Sequence, residues 1–283
     1  MTFDQTRPRF ASSVLFLAAA LALAGCTSRA ATPPPADMGS VSDEGLLVDE
    51  GAPTDAGMAE DMPPALDAGD FDANFPAGTL TINGTLTELT AAGAGGPVVG
   101  ATVCVIVPVG GPCMTSGADG TFTATGIPAG TEMLVELNAP MYQPALATVT
   151  SGAIDVDFAY LMVKRSTVRL LGGALTLAID ATKGQIFVQS GNAAGTTVAL
   201  APLSGTGPYY STAAGLPSPA LTETTTSGAA IFANVVPGDY VVTFANATLT
   251  CDPTGFSWSG TAPETTKVTV QADHITSSVA FCR

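Results

Sequence analysis

Gly120-Thr121-Phe122-Thr123-Ala124-Thr125-Gly126-Ile127-Pro128-Ala129-Gly130 aligns without a gap on Gly228-Ala229-Ala230-Ile231-Phe232-Ala233-Asn234-Val235-Val236-Pro237-Gly238, in the other half of the chain. Each stretch opens on glycine and closes on a proline and a glycine, and an aliphatic run follows. Gly120 and Gly228 stand where a tight hairpin needs positive φ, and the Pro-x-Gly or Pro-Gly step closes the next turn. Phe122 and Phe232 then point inward as core anchors at equivalent places. Upstream, Gly100-Ala101-Thr102-Val103-Cys104-Val105 matches Gly195-Thr196-Thr197-Val198-Ala199-Leu200. The second copy carries about 13 more residues between its anchors, which predicts a long loop over 204–223.

Around these anchors the pattern is one of short alternating segments rich in Val, Thr and Ile, broken by Gly, Pro and Asn. Thr79 to Leu86, Ala101 to Val107, Thr131 to Leu137 and Ile154 to Met162 are examples. Such patterning predicts an all-β sandwich architecture. Helical periodicity is weak. The best candidate, Ser166 to Ile179, carries Gly172-Gly173 at its centre, a cost of about 2 kcal/mol relative to alanine, and reads equally as a linker strand pair.

The repeated pattern resembles the carboxypeptidase regulatory-like domain, a transthyretin-like (prealbumin-like) family common in exported bacterial proteins. Copy one supplies Gly84, Gly100 to Val103, Thr115 to Phe122 and Ile127 to Gly130; copy two supplies Gly184, Gly195 to Val198, Gly228, Phe232 and Val236 to Tyr240. Copy two lacks the aspartate that Asp119 provides in copy one. The resemblance implies two tandem Greek-key β-sandwich domains, over 78–163 and 164–283.

The chain opens with Arg7 and Arg9, followed by an apolar run from Phe10 to Ala24. A bilayer-spanning helix needs about 20 apolar residues, and this run is about five short, so the order is that of an export signal. Leu23-Ala24-Gly25-Cys26 resembles the bacterial lipobox, in which the cysteine thiol accepts a diacylglycerol and small residues admit the signal peptidase. The resemblance implies a signal peptide over 1–25, acylation of Cys26 and a membrane lipid as partner. Thr27 at the sorting position, in place of an aspartate, implies an outer-membrane lipoprotein of the cell envelope.

From Thr27 to about Pro76 the chain is acidic and proline-rich, with Arg29 its only basic residue. Such a segment buries too little apolar surface to offset its ordering entropy, so 26–77 is predicted to be a disordered linker. Within it Asp70, Asp72 and Asn74 alternate as in a calcium loop, but Phe75 occupies the place where that loop needs glycine.

The formal charge is −15, which excludes nucleic acid as a partner on electrostatic grounds. Of five cysteines, four remain once Cys26 is acylated, in a compartment where disulfides persist. Placing each pair inside one repeat gives Cys104 with Cys113 and Cys251 with Cys282; two other connectivities stay open to the sequence. No Cys-x-x-Cys spacing occurs and His274 is the sole histidine, so neither a metal site nor a serine triad is predicted, and no cofactor. Tyr209, Tyr210, Phe256 and Trp258 are candidates for a ring-stacking surface on copy two, centred on the 204–223 loop. The function expected is therefore a non-catalytic binding or structural module of the envelope, meeting a protein or glycan. The alternatives are a carbohydrate- or peptide-binding surface module and an accessory to an envelope hydrolase.

Overall fold

The structure, a computed structural model, describes residues 79–90, 93–152, 156–253 and 256–283, all within one compact unit. The leader, the lipobox with Cys26, the acidic linker and the Asp70-Asp72-Asn74 stretch lie outside the described residues. In chain order the elements are β1 (Thr79–Thr90), β2 (Gly93–Pro97), β3 (Thr102–Val107), β4 (Cys113–Thr115), β5 (Thr121–Pro128), β6 (Glu132–Asn138), β7 (Ala145–Thr150) and β8 (Val156–Met162). Helix α1 (Arg165–Ala174) follows. Then come β9 (Gly184–Gln189), β10 (Thr196–Ala201), β11 (Thr206–Ser211), β12 (Pro217–Ser218), β13 (Ala229–Val235) and β14 (Gly238–Asn246). The last four are β15 (Cys251–Pro253), β16 (Trp258–Ser259), β17 (Thr265–Val270) and β18 (Ile275–Cys282). The protein is all-β, built from two β-sandwiches.

The two copies share one wiring. In the first, β1 pairs antiparallel with β5 and parallel with β8; in the second, β9 pairs antiparallel with β13 and parallel with β18. The opposing layers are antiparallel in both, β3-β6-β7 and β10-β14-β17. Gly126 (φ +79) and Asn234 (φ +55) occupy the same place in the aligned repeat, each where the strand register shifts. A bulge there needs a left-handed residue, which glycine supplies in one copy and asparagine in the other. Asn234 adds bonds that glycine lacks: its Oδ1 accepts from Asp180 N–H (3.0 Å) and its Nδ2 donates to Ala178 O (2.9 Å).

Both phenylalanines point inward, but not from equivalent positions. Phe122 lies opposite Gly84 on β1, whereas Phe232 lies two residues further along its strand, opposite Ile186. The reason is at Gly84: a Cβ there would stand 1.9 Å from the Phe122 ring. Glycine makes room for the aromatic in copy one; in copy two Val188, opposite Ala230, stands at the equivalent place, and the ring sits two residues on. Two apolar cores result, one around Leu86, Met133, Leu137 and Met162, the other around Ile186, Val242 and Phe244.

The expected loop over 204–223 contains two strands, β11 and β12, joined and followed by turns. β11 pairs with β13, and β12 folds back onto β11 (Tyr210 opposite Ser218), so this segment widens the sheet. The loop expectation rested on the length inserted between the repeat anchors, which does not tell a loop from an added strand pair. Between the copies the chain forms α1. Gly172 is required there because a Cβ would meet Ile179 at 2.8 Å, whereas Gly173 has nothing within 4 Å.

The copies meet through β18, which pairs parallel with β9 on one side and with β7 on the other. A ten-stranded sheet therefore runs through both halves, in the order β12-β11-β13-β9-β18-β7-β6-β3-β4 with β15 also on β18. The β1 sheet covers one face of its first half, and the β10-β14-β17-β16 sheet serves the opposite face of its second half.

Gly84→Val should lower stability by roughly 3 kcal/mol through displacement of Phe122, while Gly173→Ala should raise it by up to about 1 kcal/mol. Urea unfolding midpoints of the two variants check both signs. Thr148, fully buried on β7, has a hydroxyl with no hydrogen-bond partner among the described residues. Its near-isostere in Thr148→Val should stabilise by about 1 kcal/mol in the same assay.

Candidate functional site

The face of the sheet that forms the first core does not end at β7. Ile275 lies opposite Ala145 and Ser277 opposite Ala147, and β9 continues the same rows with Gln185, Phe187 and Gln189. On β13, Ile231 stands opposite Phe187. The other face of these strands carries Ile186, Val188, Phe232 and Ala280 into the second core. Phe187, Ile231, Ile275 and Val279 thus put apolar side chains on this second face as well, among Gln185, Gln189 and Ser277.

The first half's cover stops at β8, and beyond it opens a groove of about 260 Å³. Its floor is Phe187, Ile231, Ile275 and Val279, all half-buried. Phe158, Tyr160 and Phe256 form one wall, with Phe158 and Tyr160 stacked at 5.9 Å. Helix α1 forms another through Val168 and Leu171, with Leu175 at its C-cap, and Ser211, Gly215 and Pro217 stand at the far side. A ten-residue helix is marginal alone; burial of this apolar stripe is what holds it.

No charged side chain lines the groove among the described residues. Its polar groups are turned to internal bonds. Tyr160 Oη lies 2.8 Å from Ser277 Oγ, and burial pushes the phenol up to about 12 despite the hydroxyl partner. Gln185 Oε1 accepts from Asn234 N–H (3.0 Å), and Gln189 Nε2 donates to the carbonyls of Ser227 and Gly191. Gln143 Nε2 donates to the Asp273 carboxylate (3.0 Å) and to the Asp273 carbonyl. Arg165 Nη1 reaches the same carboxylate at 2.7 Å. Burial raises the Asp273 pKa, but the bonds from Gln143 and Arg165 and the charges of Arg165 and His274 outweigh it and hold the group below its ordinary value.

The residues singled out from the sequence fall in separate places. Cys104–Cys113 closes the β3–β4 hairpin, and Cys251–Cys282 ties β15 to the end of β18. Closing the second loop, with a separation of 31, contributes about 3–4 kcal/mol in the chain-entropy account. Tyr210 is buried in the second core and its hydroxyl accepts from Val198 N–H at 3.0 Å. Tyr209, beside it on β11, is half-buried. Trp258 crosses to the first copy, donating through Nε1 to the Met133 carbonyl (3.0 Å) and to that of Val149 (3.3 Å). Phe256 packs on Phe158 at 6.0 Å. These rings brace the structure from different sides. His274 sits in the turn before β18, with Nε2 3.1 Å from Glu136 of the first copy. The groove itself escaped the sequence, although the run Ile275, Val279, Phe281 beside Phe187 is its signal.

No protein-family profile matches the chain, and no curated protein does. Among solved structures it is similar to GBS52, the minor pilin of Streptococcus agalactiae, at 11% identity and TM-score 0.23, over 72% of this chain and 95% of that one. It is similar to the shaft pilin SpaA of Lactobacillus rhamnosus GG, at 12% identity and TM-score 0.22, over 73% and 98%. The TIE protein of Bacillus anthracis gives 11% identity and TM-score 0.26 over 72% of this chain, which spans only 34% of that protein's length. The likeness is one of strand-rich architecture.

Because its pKa is depressed in the folded state, Asp273 contributes stability above about pH 4, its unfolded value, and loses it as pH falls through the folded value. Its backbone is left-handed (φ +59), which asparagine tolerates, so Asp273→Asn isolates the charge. The difference in melting temperature between parent and variant should be widest near neutrality and shrink below about pH 4. A difference constant with pH would remove the ion pair as its cause.

Proposed function

We propose that the chain is a non-catalytic, lipid-anchored module of the bacterial cell envelope, held by an acylated Cys26 on an acidic linker, with a rigid double sandwich as its working part. The observation that carries this reading is the order of the N-terminal residues: two arginines, an apolar run too short to span a bilayer, then Leu23-Ala24-Gly25-Cys26. Two or three acyl chains on Cys26 hold the protein to a bilayer firmly, since each buried methylene contributes about 0.8 kcal/mol. Thr27 favours the outer membrane as the destination.

The folded part suits a display or structural role. Its described residues bring together no cluster of three metal-ligating side chains, and the sole histidine is engaged with Glu136. Two disulfides and the shared sheet stiffen it, as an oxidising compartment allows. Its partner is a component of the envelope, protein or glycan.

Intact mass of protein extracted from membranes tests the anchor. The expected species begins at Cys26 and carries diacylglycerol; Cys26→Ala should accumulate as a leader-bearing precursor without lipid. A parent protein that keeps its first 25 residues and no acyl chain would falsify the anchor.

A further inference from the structure

We propose that the groove between α1, β8 and the second half of the long sheet is a strand-addition site. Its occupant is an extended, uncharged peptide segment of a protein partner, which pairs with the free edge of β8 and lays alternate apolar side chains on the floor. This deepens the display reading above, narrowing the partner from protein or glycan to a peptide segment, and rests on that reading only for where the partner is met.

Three observations lead there. First, one wall of the groove is a strand edge. Phe158, Ala159, Tyr160 and Leu161 are consecutive on β8, and all four line the space. Successive side chains of a strand leave on opposite faces, so a single cavity touches all four only along the edge of the strand. β8 pairs with β1 on one side, and among the described residues no strand pairs with its other side. Alternate backbone N–H and C=O groups of β8 are therefore turned away from β1 and toward the groove, the arrangement that recruits a further strand.

Second, the floor lies where the next strand's side chains fall. A strand added to β8 stands about 4.8 Å further along the covering sheet, and sheets packed face to face are about 10 Å apart, so every second residue of the segment reaches the sheet below. There Phe187, Ile231, Ile275 and Val279 offer an apolar surface across β9, β13 and β18.

Third, the polar groups suit a backbone and not a charge. No charged side chain lines the groove among the described residues, so a charged residue of the segment would lose its water and gain no counter-ion. Gln143 and Gln185 are each only 6% exposed, and each holds one amide atom in an internal bond: Gln143 Nε2 donates to Asp273, and Gln185 Oε1 accepts from Asn234 N–H. Those bonds fix how the two amides are turned. Gln143 Oε1 and Gln185 Nε2 are left with no hydrogen-bond partner among the described residues, one acceptor and one donor at the groove. A peptide backbone complements both, whereas a hydrocarbon chain complements neither.

The test uses the full chain as the cell makes it, held in phospholipid nanodiscs where intact mass shows acyl groups. The probe is the capped peptide Ser-Val-Thr-Val-Thr-Val-Ser with a short polyethylene glycol tail for solubility. One peptide should bind per chain, and amide hydrogen exchange across 157–161 should then slow about tenfold or more. The fully N-methylated peptide keeps the side chains but has no backbone donors, and it should bind about tenfold more weakly or worse. Ile231→Asp, which puts a charge on the floor, should weaken binding of the parent peptide to a similar degree, with the melting temperature of the variant showing that it folds. The comparison of the two peptides needs no variant and decides the matter should that one unfold. No uptake of the peptide, equal uptake of its N-methylated form, unslowed exchange in β8, or indifference to Ile231→Asp in a folded variant overturns the site. Uptake of monooleoylglycerol in place of the peptide overturns it too, assigning the groove to lipid. A mass without acyl chains defeats the anchor and leaves the strand site standing.

Discussion

One strand, β18, belongs to two sandwiches at once, and the architecture follows from that. β7 would otherwise be an open edge of the first copy's sheet, and β18 an open edge of the second's. An unpaired edge presents a row of backbone donors and acceptors that invites other chains. Joining Ile275, Thr276 and Ser277 to Ala145, Leu146 and Ala147 closes both edges against each other. Beyond Ser277, β15 takes over the same side of β18 and the Cys251–Cys282 disulfide fixes it there. The far end of the long sheet is the three-residue β4, held to β3 by Cys104–Cys113.

The fusion joins unlike layers. In copy one it is the β3-β6-β7 layer that enters the long sheet; in copy two it is the β9-β13-β18 layer, the counterpart of β1-β5-β8. The two covering sheets therefore lie on opposite faces. Each leaves part of the other copy's half uncovered. Over β6 and β7 the gap is met by Trp258, whose indole N–H finds two first-copy carbonyls, and by Lys267, which pairs with Glu132 at 2.9 Å and stands 5.9 Å from the Trp258 ring. Over β18, β9 and β13 it is met only in part, by α1, and the groove is what remains.

Polar contacts then set the junction. Asp273 with Gln143, His274 with Glu136, and Tyr160 with Ser277 all bridge residues from the two sides of the 163/164 boundary, and Arg165 pairs with Asp273 from the same side. Exposed ion pairs of this kind contribute little individually, about 0–1 kcal/mol each. Their geometric effect is larger, since they fix the turn that delivers β18 into the seam.

The sequence alone determined the strand-rich architecture, the repeat and its turns, because glycine and proline placement and period-2 alternation are local constraints. Gly120 and Gly228 have positive φ, and Phe122 and Phe232 are buried. The two-residue offset between those rings stands in the ungapped alignment, but what faces them across the ladder, Gly84 in one copy and Ile186 in the other, was not legible. Nor was the conversion of 204–223 into β11 and β12, where pairing with β13 overrides the glycines and prolines. The groove was decided by tertiary structure alone. Alternation states which residues share a face of a strand, but whether that face meets a core, a helix or open space depends on which layers fuse and where each cover ends.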